Sequence, residues 1–299
     1  MKSGSRFLVA VVFSSLWMGC AGWAQIANTP VDGEIQRYER LLQSPVARND
    51  GATWWKLAML YQDAARYGDA ERAYSDAVEL LRTGDKAIFA NAMDGMGTMF
   101  VETGRYEKAL PLEREALAIR EAQNDSLAVG RSWMHLAMLS LGKHDFTAAA
   151  KYAESAADRM VPERTENPTT ATGATAEEKM TALVYLSLVR CAQGDCGRAL
   201  PELKTAQSIA LTSYGTGSFP VAYTDFLMGY ARWKAGDDGS AAGLMKNGIA
   251  GMEAQLAWGH PTYISCAKQY ESFLDQTQRI SEATEVRKKI ARLSANDRP

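Results

Sequence analysis

Residues 104–120 read GRYEKALPLEREALAIR and form the clearest helical pattern in the 299-residue chain. A glycine–arginine turn precedes Ala109, Leu112 and Ala116, which recur at helical spacing and place small side chains where a neighbouring helix must approach closely. Weaker copies of this pattern lie before and after the stretch. Six alanines, one in each copy, occupy the same position of the pattern: Ala70, Ala109, Ala149, Ala199, Ala241 and Ala283. We call these residues the marker alanines. Their spacing of roughly 40 residues predicts a stack of helical hairpins, each completed by its neighbour.

The first copy carries the most specific motif. Aromatic and aliphatic residues of a first helix precede small and aromatic residues of a second helix, at Trp54, Leu57, Ala58, Tyr61, Ala70, Tyr74 and Ala77. This arrangement resembles the tetratricopeptide repeat, and residues 109–121 (ALPLEREALAIRE) and 258–261 (WGHP) resemble its kinesin-light-chain-like branch. The resemblance covers roughly residues 51–293. It implies an all-α fold, a right-handed superhelical solenoid of about six hairpins, and it does not identify a ligand.

The sequence divides into five predicted segments. They are a signal peptide at 1–24, a lead-in with a short helix at 25–50, repeats one to three at 51–160, a Thr- and Pro-rich insertion at 161–179, and repeats four to six at 180–299. We interpret the insertion as a surface loop, since repeat proteins tolerate insertions on one face. The alternative is a loop that contacts a ligand or a second protein.

The amino terminus has the pattern of an export signal. Lys2 and Arg6 precede an apolar run at 7–18, and small residues follow up to a predicted cleavage site after Ala24. The run is too short to span a bilayer comfortably. We therefore expect an exported protein, periplasmic or secreted. Residues 16–21 (LWMGCA) also resemble a lipoprotein cleavage box, so a lipid anchor at Cys20 is the alternative.

Composition and motifs argue against several functions. A net charge of −2 with no basic cluster gives no basis for a nucleic-acid partner. The three histidines, His135, His144 and His260, lack a metal-binding spacing, so we expect no metal and no cofactor. No serine has the G-x-S-x-G setting, and Glu113 and Glu115 are interpreted as solvated helix-surface charges. The chain is therefore predicted not to be an enzyme.

The cysteines suggest a covalent crosslink. Cys191 and Cys196 flank a predicted turn, which can bring them within disulfide distance in an oxidising compartment. The alternative is a pair of buried thiols that behave as small apolar side chains. Cys266 has no partner in this scheme and is predicted to be packed.

In tetratricopeptide repeat arrays, which this sequence resembles, the first helix of each hairpin lines the concave side. The inward-facing positions of the first helices are therefore the candidate binding groove. The predicted groove residues are Trp55, Met59, Gln62, Asp94, Thr98, Arg131, Met134, Met138, Leu141, Val184, Leu188, Tyr223, Phe226, Tyr230 and Trp233. They are largely apolar and aromatic, as at interaction sites. If the superhelix coils tightly, or if the register is shifted by one position, the same residues become core.

We therefore predict a non-catalytic protein–protein interaction scaffold of the bacterial envelope, which binds an apolar peptide segment in a concave groove. The partner would be a protein or peptide of the envelope, and residues 223–233 are its most aromatic contact stretch. The alternatives are a sensor or enzyme subunit for a small hydrophobic ligand, and a self-assembling structural repeat protein.

Overall fold

A computed structural model describes residues 31–64, 66–161, 173–255 and 261–294 of the chain. The predicted signal peptide, Cys20, most of the Thr- and Pro-rich insertion and His260 lie outside these residues. Within the described ranges, all regular structure is helical and there is no β-strand. The predicted all-α repeat fold is confirmed.

The helices form a lead-in pair followed by six hairpins. The lead-in consists of α1 (Val31–Leu41) and α2 (Pro45–Arg48). The hairpins are α3 (Gly51–Asp63) with α4 (Tyr67–Leu81), α5 (Lys86–Glu102) with α6 (Tyr106–Ala122), α7 (Ser126–Gly142) with α8 (Phe146–Met160), α9 (Ala176–Ala192) with α10 (Leu200–Tyr214), α11 (Phe219–Lys234) with α12 (Asp238–Gln255), and α13 (Pro261–Gln276) with α14 (Ile280–Ser294). A short 3₁₀ turn, Cys196–Ala199, leads into α10.

The chain divides into two compact units, one containing α1 to α8 and the other α9 to α14. In the first unit, the first helices α3, α5 and α7 lie side by side, and each also packs on the second helix of its own hairpin. In the other unit, α9, α11 and α13 are arranged in the same way. A central first helix therefore has neighbours on several faces, which buries more of its surface than a single apolar stripe would.

The marker alanines lie in the interior between the helices. All six are completely buried. Small residues in the facing first helices make a close approach possible. A Cβ atom added to Gly229 would lie only 2.8 Å from the backbone nitrogen of Met245. The small-residue pattern of the sequence therefore reports real backbone proximity.

The described turns between the two helices of a hairpin share a residue with a positive φ angle. Gly104, Gly194 and Gly236 adopt positive φ angles of 72°, 90° and 89°, as expected for glycines that end a helix. Gly68 and Gly142 lie near the same turns but belong to α4 and α7. The recurring left-handed position is five residues before the marker alanine, and His144 and Gln278 occupy it with φ of 61°. The left-handed conformation therefore recurs at this position whether or not the residue is glycine.

Candidate functional site

The predicted groove residues divide into a small exposed group and a large buried group. Met59 has 36% of its surface exposed, and Trp55, Thr98 and Arg131 are partly exposed. The other predicted groove residues are buried: Gln62, Asp94, Met134, Met138, Leu141, Val184, Leu188, Tyr223, Phe226, Tyr230 and Trp233. Binding at this second group would require that these side chains first become uncovered.

Residues 223–233 show why the aromatic stretch is buried. The Tyr230 ring makes an edge contact with Trp233 at 5.8 Å, and Trp233 makes another with Phe273 of α13 at 5.7 Å. The Lys234 ammonium lies 3.4 Å from the centre of the Trp233 indole, in a cation–π contact. Since α11 is covered by the helices around it, its aromatic residues fill the space between helices.

A second cluster, which the sequence analysis did not identify, lies inside the unit formed by α1 to α8. Asp94 projects from α5, Glu113 and Arg120 from α6, and Ser132 and His135 from α7. Glu113 and Arg120 are seven residues apart, which places them two turns apart on one face of α6. We call Asp94, Glu113, Arg120 and His135 the charged cluster. It joins three helices of two consecutive hairpins.

The interpretation of Glu113 as a solvated surface charge was wrong, because Glu113 is completely buried. It stands four residues after the marker alanine, where the other described repeats except the last have the buried side chains Tyr74, Ala153, Leu203 and Met245. Asp94, predicted to face a groove, is also buried. Helical periodicity alone does not show which polar residue of α6 faces inward. A comparison of the same position in each repeat indicates it, because most repeats have an apolar or aromatic residue where α6 has Glu113.

Arg120 occupies a position that is apolar in every other hairpin except the last, and it holds the cluster together. Its guanidinium forms an ion pair with Oδ2 of Asp94. Nη1 donates to the Ser132 hydroxyl at 2.6 Å, and Nη2 donates to the side-chain oxygen of Asn91 at 2.7 Å. These bonds fix the Asp94 carboxylate with Oδ2 paired and Oδ1 directed elsewhere.

The remaining polar atoms of the cluster meet around the His135 imidazole. His135 Nδ1 lies 3.4 Å from Oε2 of Glu113 and 3.6 Å from Oδ1 of Asp94. Among the described residues, Nδ1, Oδ1 of Asp94 and both Glu113 oxygens have no hydrogen-bond partner, although all are inaccessible to solvent. One ligand atom from each of the three residues lies within 4.8 Å of the others. Unpaired buried oxygens of this kind are rare in folded proteins.

The surroundings shift the pKa of each of the three groups. Burial raises the pKa of Glu113 well above its ordinary value, and the nearby Asp94 carboxylate adds to the rise. Burial alone would raise the pKa of Asp94, but His135 and Arg120 outweigh it and lower the pKa. Burial opposes the charged imidazole, yet Asp94 and Glu113 together raise the pKa of His135 to about 10. The two carboxyl groups therefore attract positive charge to one point between the helices.

The other predicted sites lie elsewhere. His144 is in a turn and makes an edge contact with Phe146 at 5.9 Å. Cys191 and Cys196 are joined by a disulfide, with 4.2 Å between their α-carbons. Cys266 is buried, and this burial raises the pKa of its thiol well above the ordinary value.

Comparisons with known proteins identify the repeats. The model of the tetratricopeptide repeat matches residues 50–122, which contain the hairpins α3–α4 and α5–α6. These residues are tetratricopeptide repeats. The predicted repeat family is thereby confirmed. Asp94, Glu113 and Arg120 of the charged cluster lie within the matched residues, and His135 follows them. A search of curated proteins by sequence finds no match.

Solved structures extend the similarity of the fold over most of the chain. The apo form of RapI has a TM-score of 0.67 at 13% identity and covers 89% of this chain and 92% of its own. A putative kinesin light chain with nearly identical TPR-like repeats from Podosopora anserina has a TM-score of 0.52 at 16% identity and covers 69% of this chain and 96% of its own. A Rap protein complexed with Competence and Sporulation Factor has a TM-score of 0.60 at 12% identity, over 82% of this chain and 75% of its own. At these identities the similarity establishes the fold.

The fold is that of a protein-interaction scaffold, a type that is typically non-catalytic. No helix in the described part of the chain combines the length and apolar character that a membrane crossing needs.

Proposed function

We propose that the protein is a non-catalytic scaffold of the bacterial envelope that binds an apolar segment of a partner protein. The observation that carries this proposal is the partly exposed pair Trp55 and Met59 on α3, within the tetratricopeptide repeats. The two side chains are one helical turn apart and so share a face. Trp55 rests on a buried cluster around Phe89 and Met93, which holds it in place, whereas Met59 reaches solvent.

This arrangement suits recognition of an apolar segment. Trp55 is a large side chain already ordered by its packing, so a partner that covers it loses little conformational freedom. Met59 adds an unbranched, adaptable side chain beside it. The similar fold of a Rap protein complexed with Competence and Sporulation Factor supports a binding role for such a stack of hairpins.

Export to the envelope is the second part of the proposal. The charged and apolar amino-terminal pattern favours it, and so does the Cys191–Cys196 disulfide, because disulfides persist in oxidising compartments. The alternative of a lipid anchor at Cys20 retains the same compartment. Localisation of the tagged chain, with and without Cys20→Ala, would separate the soluble form from the anchored form.

Photocrosslinking from defined positions tests the binding surface. A photoreactive amino acid at position 59 should crosslink one specific envelope protein in the native cells. Position 80 is the matched control, because Leu80 is 37% exposed but lies on the second helix of the same hairpin. Trp55→Ala should abolish the adduct formed at position 59. Equal adducts from both positions, or an adduct that survives Trp55→Ala, would contradict the proposed surface.

A further inference from the structure

We propose that Asp94, Glu113 and His135 form a binding site for one divalent transition-metal ion, and that Zn²⁺ is the ion its donors match best. The site is independent of the proposed partner surface. It uses three residues on three helices of two consecutive hairpins.

The distances within the site favour a shared cation over direct hydrogen bonds. The separations of 3.4 and 3.6 Å between His135 Nδ1 and the two carboxylate oxygens are long for hydrogen bonds. Zinc binds nitrogen and carboxylate oxygen at about 2.0–2.2 Å in tetrahedral geometry, which places neighbouring ligands roughly 3.3–3.6 Å apart. The observed separations therefore match two edges of one coordination tetrahedron.

The buried unpaired atoms point to a ligand. Both oxygens of the completely buried Glu113, one oxygen of Asp94 and Nδ1 of His135 lack hydrogen-bond partners among the described residues. Of the four oxygens of these two buried carboxyl groups, Arg120 pairs only with Oδ2 of Asp94, and the nearest contacts of His135 Nδ1 to the others are longer than hydrogen bonds. A divalent cation would use the remaining lone pairs of all three side chains.

The residues around the site hold these donors in position. Arg120 binds Oδ2 of Asp94 and leaves Oδ1 as the donor, while Ser132 and Asn91 fix the guanidinium. Second-sphere contacts of this kind are a regular part of metal sites. Gly97 provides the space for Glu113, because a Cβ atom at this position would collide with the Glu113 carboxylate.

The donor set restricts the choice of ion. One imidazole nitrogen and two carboxylate oxygens suit Zn²⁺ and similar first-row divalent ions, with a fourth position for water. Ca²⁺ is disfavoured because it requires six to eight oxygen ligands. On binding, the lone pair of Nδ1 passes from a proton to the metal, and the proton leaves to solvent without any redox change. The His135 side chain is 23% exposed, so the imidazole ring extends from the buried donor atoms to the protein surface.

Metal titration with matched variants tests the site. The purified full chain, stripped with a chelator, is titrated with ZnCl₂ by calorimetry, and bound zinc is counted after dialysis. We expect one zinc per chain. Glu113→Gln and His135→Gln should weaken binding at least about tenfold, since loss of a ligand should exceed the loss of a second-sphere contact. Glu115→Gln is the control, because Glu115 is an exposed residue of the same helix and should leave binding unchanged.

Two results would overturn the proposal. One is a wild-type chain that binds no zinc at a tenfold molar excess, and the other is a folded Glu113→Gln variant that binds as tightly as wild type. Circular dichroism establishes whether each variant folds. If Glu113→Gln does not fold, X-ray absorption on the zinc-loaded wild type decides instead. One imidazole nitrogen with carboxylate oxygens supports the site, whereas a sulfur ligand or two or more imidazoles rules it out.

Discussion

Hairpin α5–α6 and hairpin α11–α12 use the same slots for opposite chemistry. Counted from the marker alanines, the equivalent buried pairs are Asp94 and Phe226, Glu113 and Met245, and Arg120 and Met252. A glycine faces the middle pair in both hairpins, Gly97 in the first and Gly229 in the second. The equivalent positions are thus buried in both hairpins, while one interior is charged and the other is apolar.

In these two hairpins the repeat fixes which positions are buried and leaves the polarity of their side chains open. Met245 needs only packing, because its neighbours supply dispersion contacts and no polar group remains. Asp94 and Glu113 lie beside two basic side chains, Arg120 two turns after Glu113 on α6 and His135 on α7. The charged residues of α5–α6 therefore depend on one another, and those of α11–α12 do not.

The most disruptive change should move the charge to the apolar hairpin. Met245→Glu buries a carboxylate that has no arginine or histidine in the equivalent positions. We expect a loss of about 4–5 kcal/mol in the free energy of unfolding, measured in urea at neutral pH. The loss should shrink at lower pH, because a neutral carboxyl costs less to bury. Met245→Leu is the control, and an equal loss in both variants would refute the electrostatic explanation.

The second change removes one member of the charged cluster. Arg120→Met leaves Asp94, Ser132 and Asn91 without their shared donor, and we expect a loss of about 3–4 kcal/mol. Arg114→Met on the exposed face of α6 is the control and should change stability by less than about 0.5 kcal/mol. Similar urea midpoints for the two variants would show that Arg120 contributes no more than a surface residue.

The third change tests the two facing glycines. A Cβ atom at Gly229 would meet the Met245 backbone, whereas at Gly97 it would meet the end of the Glu113 side chain. Since a carboxylate can move more easily than a backbone, Gly229→Ala should cost about 2–3 kcal/mol and Gly97→Ala about 1–2 kcal/mol. Thermal unfolding of both variants gives the order, and the reverse order would mean that the Glu113 carboxylate is held more rigidly than the helix.

The smallest effect should come from converting the whole cluster. The triple variant Asp94→Leu, Glu113→Met, Arg120→Met replaces the mutually dependent charges by apolar residues of similar size. We expect it to lie within about 1–2 kcal/mol of wild type and to be more stable than Arg120→Met alone. Double-mutant cycles measure the coupling. Strictly additive losses would contradict the dependence inferred here, and the variant should also lose zinc binding.

Much of the fold could be predicted from the sequence because it depends on local patterns. The marker alanines and the aromatic residues around Trp54 and Tyr74 define each hairpin by spacing alone, and all six alanines are buried as this requires. The left-handed turn position was less predictable. His144 and Gln278 adopt it without being glycine, because the adjoining helices fix the backbone there.

Which side chains face inward is less predictable, since it depends on which helix faces which. Tyr230 and Trp233 are at predicted groove positions, but their rings pack with each other, and Trp233 also packs with Phe273, 40 residues later in the chain. Glu113 lies in a stretch rich in charge, where one buried carboxylate has the same local pattern as its exposed neighbour Glu115.

The sequence by itself determined the repeat, its period and the close helix contacts, because small residues at fixed offsets constrain the backbone within one hairpin. Only the tertiary structure decided the chemistry of the interior. Asp94, Glu113 and His135 are up to 41 residues apart in the sequence and meet only when α5, α6 and α7 pack together. A charged side chain acquires its partners, and therefore its function, from helices that the local pattern does not specify.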